Sequence, residues 1–186
     1  MKKIYAILPA LIATLMTLTF TSCDEDYDTA YTLEGTWKGE MHINSRYGGR
    51  TYSSIYTIID FQRDNSWSSG VGYWVDYYSD APWDYVANHI DWRVVNGEVR
   101  IYFREEGTTL YIRDYVLNDN RFRGTLYDDG QRVDFTLYHT SSPNWSSYHW
   151  GYDDYYYDDY YYSRTTRGAV SDSTTTEKPQ RFIGTK

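Results

Sequence analysis

The sequence predicts an all-β domain, an antiparallel meander closing into a small barrel, set between a cleavable leader and a low-complexity tail. Three observations predict it. From Thr36 onward apolar and polar residues alternate, which is the period of half-buried strands. The alternating runs are separated by short turns rich in Asn, Asp and Gly, the punctuation of hairpins. Between residues 33 and 140 no segment of ten or more residues shows helical spacing.

The leader comes first. Lys2 and Lys3 are followed by an uncharged apolar run from Ile4 to Phe20, and then by Phe20-Thr21-Ser22-Cys23. A positive start, an apolar middle and small residues at the end make a secretory signal. The run is 17 residues long and contains Pro9, too short and too broken for a comfortable membrane span. Residues 1–22 are therefore expected to be removed. Cys23 is the only cysteine in the chain, so neither an intrachain disulfide nor a cysteine-rich zinc site can form. Residues 24–32 open with Asp24-Glu25-Asp26-Tyr27-Asp28, and this acidic stretch is expected to be a solvated tether.

Residues 33–140 are one domain's worth of chain. Trp37, Gly39, Met41 and Ile43 make the first stripe, and Ile55, Thr57, Ile59 and Phe61 the second. Ile90, Trp92 and Val94 run into Asn96-Gly97, and Val99, Ile101 and Phe103 run out of it. Asn-Gly fits both positive-φ positions of a type I′ turn. The other face of that hairpin carries Asp91, Arg93, Glu98, Arg100 and Arg104 and is expected to face water. Further strands lie at Thr108–Leu117, around Phe122–Leu126 and around Val133–Leu137, with turns at Asn118-Asp119-Asn120 and Asp128-Asp129-Gly130. Leu110 and Ile112 are out of phase with Tyr115 and Leu117, and a bulge near Arg113–Asp114 would reconcile them. Ser79–Asn88 contains Pro82 and reads as a long loop. About eight strands joined in order favour a closed or nearly closed meander. Residues 141–186 contain the tract Tyr152–Tyr162, with a rough Asp-Asp-Tyr-Tyr-Tyr repeat, and only Ala169, Val170 and Ile183 as aliphatics. This tail is expected to be largely disordered, with Trp145, Tyr148 and Trp150 docking on the barrel's outside and order reaching about Gly151.

The chain carries a charge of −8, and losing Lys2 and Lys3 with the leader takes it to −10. Nucleic acid is a poor partner for such a protein, because phosphate binding needs a basic stripe. The four histidines, His42, His89, His139 and His149, have no metal-binding spacing, and no Gly-x-Ser-x-Gly occurs,. No catalytic residue, metal or cofactor is assigned. A carboxylate pair for hydrolysis stays open as a distant alternative. Aromatics are the unusual feature, at 19% of the chain with 23 Tyr and 7 Trp. They either fill the barrel or form a binding surface. Trp74, Tyr77, Trp83 and Tyr85 are the candidate ligand-binding residues, with the Ser79–Asn88 loop as the first place to look.

Two resemblances sharpen this reading. Phe20-Thr21-Ser22-Cys23 resembles a relaxed bacterial lipobox, which implies lipidation of Cys23 and a lipid-anchored protein. Acids directly after the cysteine resemble a surface-export signal of Bacteroidetes lipoproteins, although in enterobacteria an Asp there resembles an inner-membrane retention signal. The style of the N-terminus is similar to the first group, so an outer-membrane, cell-surface location is expected. Leu33-Glu34-Gly35-Thr36-Trp37, followed by meander hairpins, resembles the lipocalin-like domains of bacterial lipoproteins. In that family the Trp closes the barrel floor, often under a late Arg. Gly35 and Trp37 match, and Arg121, Arg123 and Arg132 are candidates for the cover. Arg113-Asp114-Tyr115 keeps two residues of the family's Thr-Asp-Tyr motif. The resemblance implies non-catalytic binding of a small apolar molecule or a glycan. The alternative is a structural or adhesive surface protein acting through the Tyr-rich tail.

Cys23 generates the first prediction. The wild-type chain should incorporate a fatty-acid label in a bacterial host and Cys23→Ala should not. A labelled Cys23→Ala would remove the lipoprotein assignment.

Overall fold

The structure, a computed structural model, describes residues 25–65, 67–152 and 179–184. The leader, Cys23 and the Tyr/Asp-rich residues 153–178 lie outside the described residues. Ten strands follow one another: β1 (Gly35–Glu40), β2 (Ile43–Tyr47), β3 (Arg50–Arg63), β4 (Ser69–Tyr78), β5 (Tyr85–Val95), β6 (Glu98–Phe103), β7 (Thr108–Asn118), β8 (Arg121–Asp128), β9 (Gln131–Thr140) and β10 (Gln180–Ile183). All pairings are antiparallel. β3 to β9 pair in order, and β1 pairs with both β3 and β9. Eight strands thus form a closed ring. β2 continues beyond β1 along the first part of β3, and β10 adds to the free side of β2.

The expected barrel is present, and its hairpin chemistry is as read. Asn96 and Gly97 both have positive φ, 53° and 72°. The register of β7 against β8 shifts between Arg113 and Val116, and Asp114 sits at φ 51°. This bulge turns Tyr115 and Leu117 onto the core beside Leu110 and Ile112. Gly124 on β8 makes room for it, since a Cβ there would lie 2.7 Å from that of Tyr115.

An eight-strand ring leaves an interior just wide enough for side chains to fill. Here Trp37, Phe61, Trp74, Phe103 and Phe122 are all fully buried inside it. They meet edge to face, as in Trp74–Phe103 at 5.1 Å and Trp37–Phe122 at 6.0 Å, the geometry that the ring quadrupole favours.

The turns define two ends. The floor gathers the β3–β4, β5–β6 and β7–β8 turns, and the mouth gathers the β2–β3, β4–β5, β6–β7 and β8–β9 turns. The floor corrects the tether expectation. Residues 25–33 form a helix, α1, with Asp26, Ala30 and Leu33 on one face. Ala30 and Leu33 are fully buried in the core. The Asp26 carboxylate accepts from the backbone N–H groups of Asn96 and Gly97, both at 2.8 Å. Trp37 Nε1 donates to the Leu33 carbonyl at 2.8 Å, satisfying one of the acceptors a helix end leaves open. On the outside, Arg63 lies over Tyr27 and Tyr31 and pairs with Glu34 at 3.3 Å.

Trp37 lies at this end of the barrel, and the residue against it is not one of the expected arginines. Arg121, Arg123 and Arg132 are all exposed. His139 lies edge-on to the indole at 5.1 Å instead. Gly35 allows this, because its φ is +120° and a Cβ there would lie 2.6 Å from His139 Nε2.

Three smaller corrections follow. The loop after β4 is only residues 79–84, because Tyr85–Asn88 continue the strand. Ile55 points outward at 50% exposure, because the β3–β4 register shifts between Ser54 and Tyr56 and reverses the alternation before it. Near the end of the tail expected to be disordered beyond about Gly151, β10 joins the sheet.

The floor gives the second prediction. Leu33→Ala should lower unfolding free energy by about 2–5 kcal/mol, the usual cost of truncating a buried Leu, read from denaturant midpoints. In a solvated tether the same change would cost within about 0.5 kcal/mol.

Candidate functional site

The four predicted ligand residues are distributed over three environments. Trp74 points into the barrel and is fully buried. Tyr77 is three residues later, so its side chain emerges on the opposite face. There it stacks on Tyr56 at 4.4 Å, shares a 2.5 Å hydroxyl contact with Tyr148 and lies 5.9 Å from its cross-strand partner Tyr85. Burial and the Tyr148 hydroxyl both push the Tyr77 phenol upward. Tyr85 OH accepts from His149 N–H at 3.1 Å. Trp145 and Trp150 lie on Tyr73 at 4.8 and 4.9 Å. The expected docking of residues 145–150 on the outer face is thus present, and it occupies these aromatic faces.

Trp83 takes neither place. The short turn folds it over the mouth, where it is 3% exposed. Tyr47, Tyr52, Tyr78 and Tyr152 surround it edge to face at 5.6–6.1 Å.

Below this aromatic cap lies a charged cluster that the sequence reading missed. Asp76 on β4 is fully buried. Its Oδ1 accepts from Thr57 Oγ1 at 2.7 Å and Trp74 Nε1 at 2.8 Å. Glu106 in the β6–β7 turn accepts from Asn88 Nδ2 at 2.9 Å. β10 delivers Arg181 between them. Its Nη2 lies 2.7 Å from Asp76 Oδ2 and its Nε 3.2 Å from Glu106 Oε1. The guanidinium sits over Phe103, 4.3 Å from the ring centre, and 5.7 Å from Trp74.

Two carboxylates facing one guanidinium make a cluster of net −1 when all are ionised. Burial pushes the Asp76 and Glu106 carboxyls above the ordinary range, against the pull of Arg181. For Arg181, burial acts to lower the pKa, but Asp76 and then Glu106 hold the cation above its usual value. Tyr78 OH and Asn88 Oδ1 are buried in the same region without a hydrogen-bond partner among the described residues.

The signal for this cluster was present but faint. Asp76 shares the inward phase of Trp74 and Tyr78, and a charge on a buried phase is unusual. Nothing near Arg181 marks its destination. Two open clefts meet at β10, of about 570 Å³ and 620 Å³, and Thr108, Gln180 and Arg181 line both. Tyr152 and Pro179 line the first together. Among the described residues no group of three or more metal-ligating side chains occurs, and no helix is long and apolar enough to cross a membrane.

Comparison with known proteins agrees with the geometry. Residues 33–124 match the family model of the lipocalin-like domain. No curated protein and no solved structure matches the chain. The matched span holds Trp74, Asp76, Phe103 and Glu106, whereas Arg181 lies beyond it.

The cluster gives the third prediction. A carboxyl whose folded pKa is raised contributes stability that is complete below its ordinary pKa and is lost as pH climbs through the raised value. Asp91, lowered chiefly by its hydrogen bond from Arg104, and Glu98, on which burial acts upward but is outweighed by Arg113 and Arg100, act in the opposite sense and are shared by wild type and variant. Stability measured against pH should therefore fall less steeply above the carboxylate range in Glu106→Gln than in wild type. Parallel profiles would place Glu106 outside the titrating cluster.

Proposed function

We propose, from the premise that this is a closed lipocalin-like barrel, that the chain is a non-catalytic binding lipoprotein of the bacterial cell envelope and that it takes a small, largely apolar molecule at the barrel mouth. One observation carries the reading. The interior is filled with rings up to the level of Trp74 and Phe103, and above them two clefts are separated only by a four-residue strand. An apolar molecule is favoured over a glycan as ligand. Trp145, Tyr148 and Trp150, the rings that could stack on sugar, are engaged with Tyr73, Tyr77 and Tyr85.

Lipidation of Cys23 would fix the orientation of the site. Residue 25, already within the helix that seals the floor, lies two positions after it. The floor would then face the membrane and the mouth would face away from it. A cell-surface, outer-membrane address, carried by the acids after Cys23, is part of the same proposal.

A second reading, adhesion through the Tyr/Asp-rich residues 153–178, is favoured by a separate observation. The flanking residues Tyr152 and Pro179 line one cleft, so the tract leaves and re-enters the fold at the mouth, on the side away from the floor.

Titration of the full chain with the neutral fluorophore N-phenyl-1-naphthylamine tests the first reading. Saturable one-to-one binding is expected, tighter in Arg181→Ala than in wild type. No saturable binding in either would remove it.

A further inference from the structure

We propose that the barrel mouth is a recognition site for an organic cation, a guanidinium or ammonium head on an apolar body, and that Arg181 of the chain's own C-terminal strand occupies it as an internal stand-in. This rests on the reading of the mouth as a small-molecule site and specifies the head group of the ligand.

The receptor side is complete without Arg181. Asp76 is held by Thr57 and Trp74, and Glu106 by Asn88. All five lie on β3, β4, β5 or the β6–β7 turn, within the closed ring. Phe103 supplies a ring face at 4.3 Å from the guanidinium, and a cation over an aromatic face gains most where water is excluded. The chemistry assembled is thus two fixed carboxylates over an aromatic floor.

The occupant is attached far more weakly than the receptor. Among the described residues, β10, four residues long, pairs with β2 and with none of the ring strands. Its charge is matched, but its hydrogen bonding is not. Nε, Nη1 and Nη2 of Arg181 are all buried, and none makes a hydrogen bond of good geometry, despite the contacts at 2.7 and 3.2 Å. Tyr78 OH and Asn88 Oδ1 remain unused nearby. A ligand that satisfied these groups would bind better than the residue now present.

Displacement has room and a charge rule. β10 divides one opening into two clefts that share Thr108, Gln180 and Arg181, so lifting it joins them above Phe103. Removing Arg181 alone would leave two buried carboxylates unpaired, which is strongly unfavourable. The site therefore exchanges one cation for another and discriminates against neutral and anionic molecules of the same shape. A resident on the same chain competes at an effective concentration that can reach the millimolar range, so a free cation is admitted only when it binds well.

Phenylguanidine and its neutral near-isostere phenylurea, titrated into full-length wild type and Arg181→Ala, test the proposal by calorimetry. Arg181→Ala should bind phenylguanidine at least about tenfold more tightly than wild type does, because the internal competitor is gone. It should prefer phenylguanidine to phenylurea, and adding Asp76→Asn should abolish the preference. If Arg181→Ala binds N-phenyl-1-naphthylamine but shows no preference for the cation, this inference falls and the small-molecule reading stands. If it is folded and binds none of the three, both fall. Should Arg181→Ala not fold, amide exchange in wild type decides. Phenylguanidine, and not phenylurea, should speed exchange at Phe182 and Ile183, and equal protection with both compounds would overturn the proposal.

Discussion

The structure depends on β1 pairing on both of its edges. Once β1 is paired on both sides, with Trp37 in register with Ile59 on β3 and His139 on β9, the meander has no free edge within the ring, and closed rings resist the edge-to-edge association that so many aromatic strands would otherwise invite. Closure also fixes capacity. Eight strands bound a space that a few large rings fill, so the middle of the barrel is core and only its two ends are left for other tasks. The floor is sealed by α1, which uses Leu33 as a stopper and Asp26 as a clasp on the Asn96–Gly97 turn. The mouth is sealed by residues that return from the far end of the chain.

Those two seals differ in kind. The floor is apolar burial, with the Trp37 indole N–H satisfied by the Leu33 carbonyl. The mouth combines buried charges with donors and acceptors left unpaired. A buried ion pair is weak as a source of stability, since hydrophobic residues of similar volume often serve as well. Its fully buried form at the mouth is the asymmetry on which the proposed division rests, structure at the floor and recognition at the mouth.

The sequence made the ring legible because alternation and turn chemistry are local. Asn96-Gly97 announced its own backbone angles, and the phase slip around Arg113–Asp114 announced a bulge. Features that depend on where a side chain ends up in space were harder to read. Trp74 and Tyr77 looked like neighbours in an aromatic cluster, yet strand parity separates them by the thickness of the sheet. Ile55 looked like part of an inward stripe, until one extra residue near Ser54 reversed it. α1 shows only Ala30 and Leu33 as apolar anchors, too few for periodicity to declare a helix. Arg181 sits in a polar tail, where only the pairing of β10 with β2 gives Arg-Phe-Ile a reason to be buried.

The family match ends at residue 124, partway along β8, while the chain goes on to complete the ring and then to cap it. Tyr152 and Pro179, which flank residues 153–178, line the same cleft. One flank is held through the Gly151–Ala87 bridge and the docked rings of residues 145–150, the other through the four rungs of β10. Neither attachment is a strand of the closed ring, so a pull on the stretch between them would load two short clasps before it could strain the barrel.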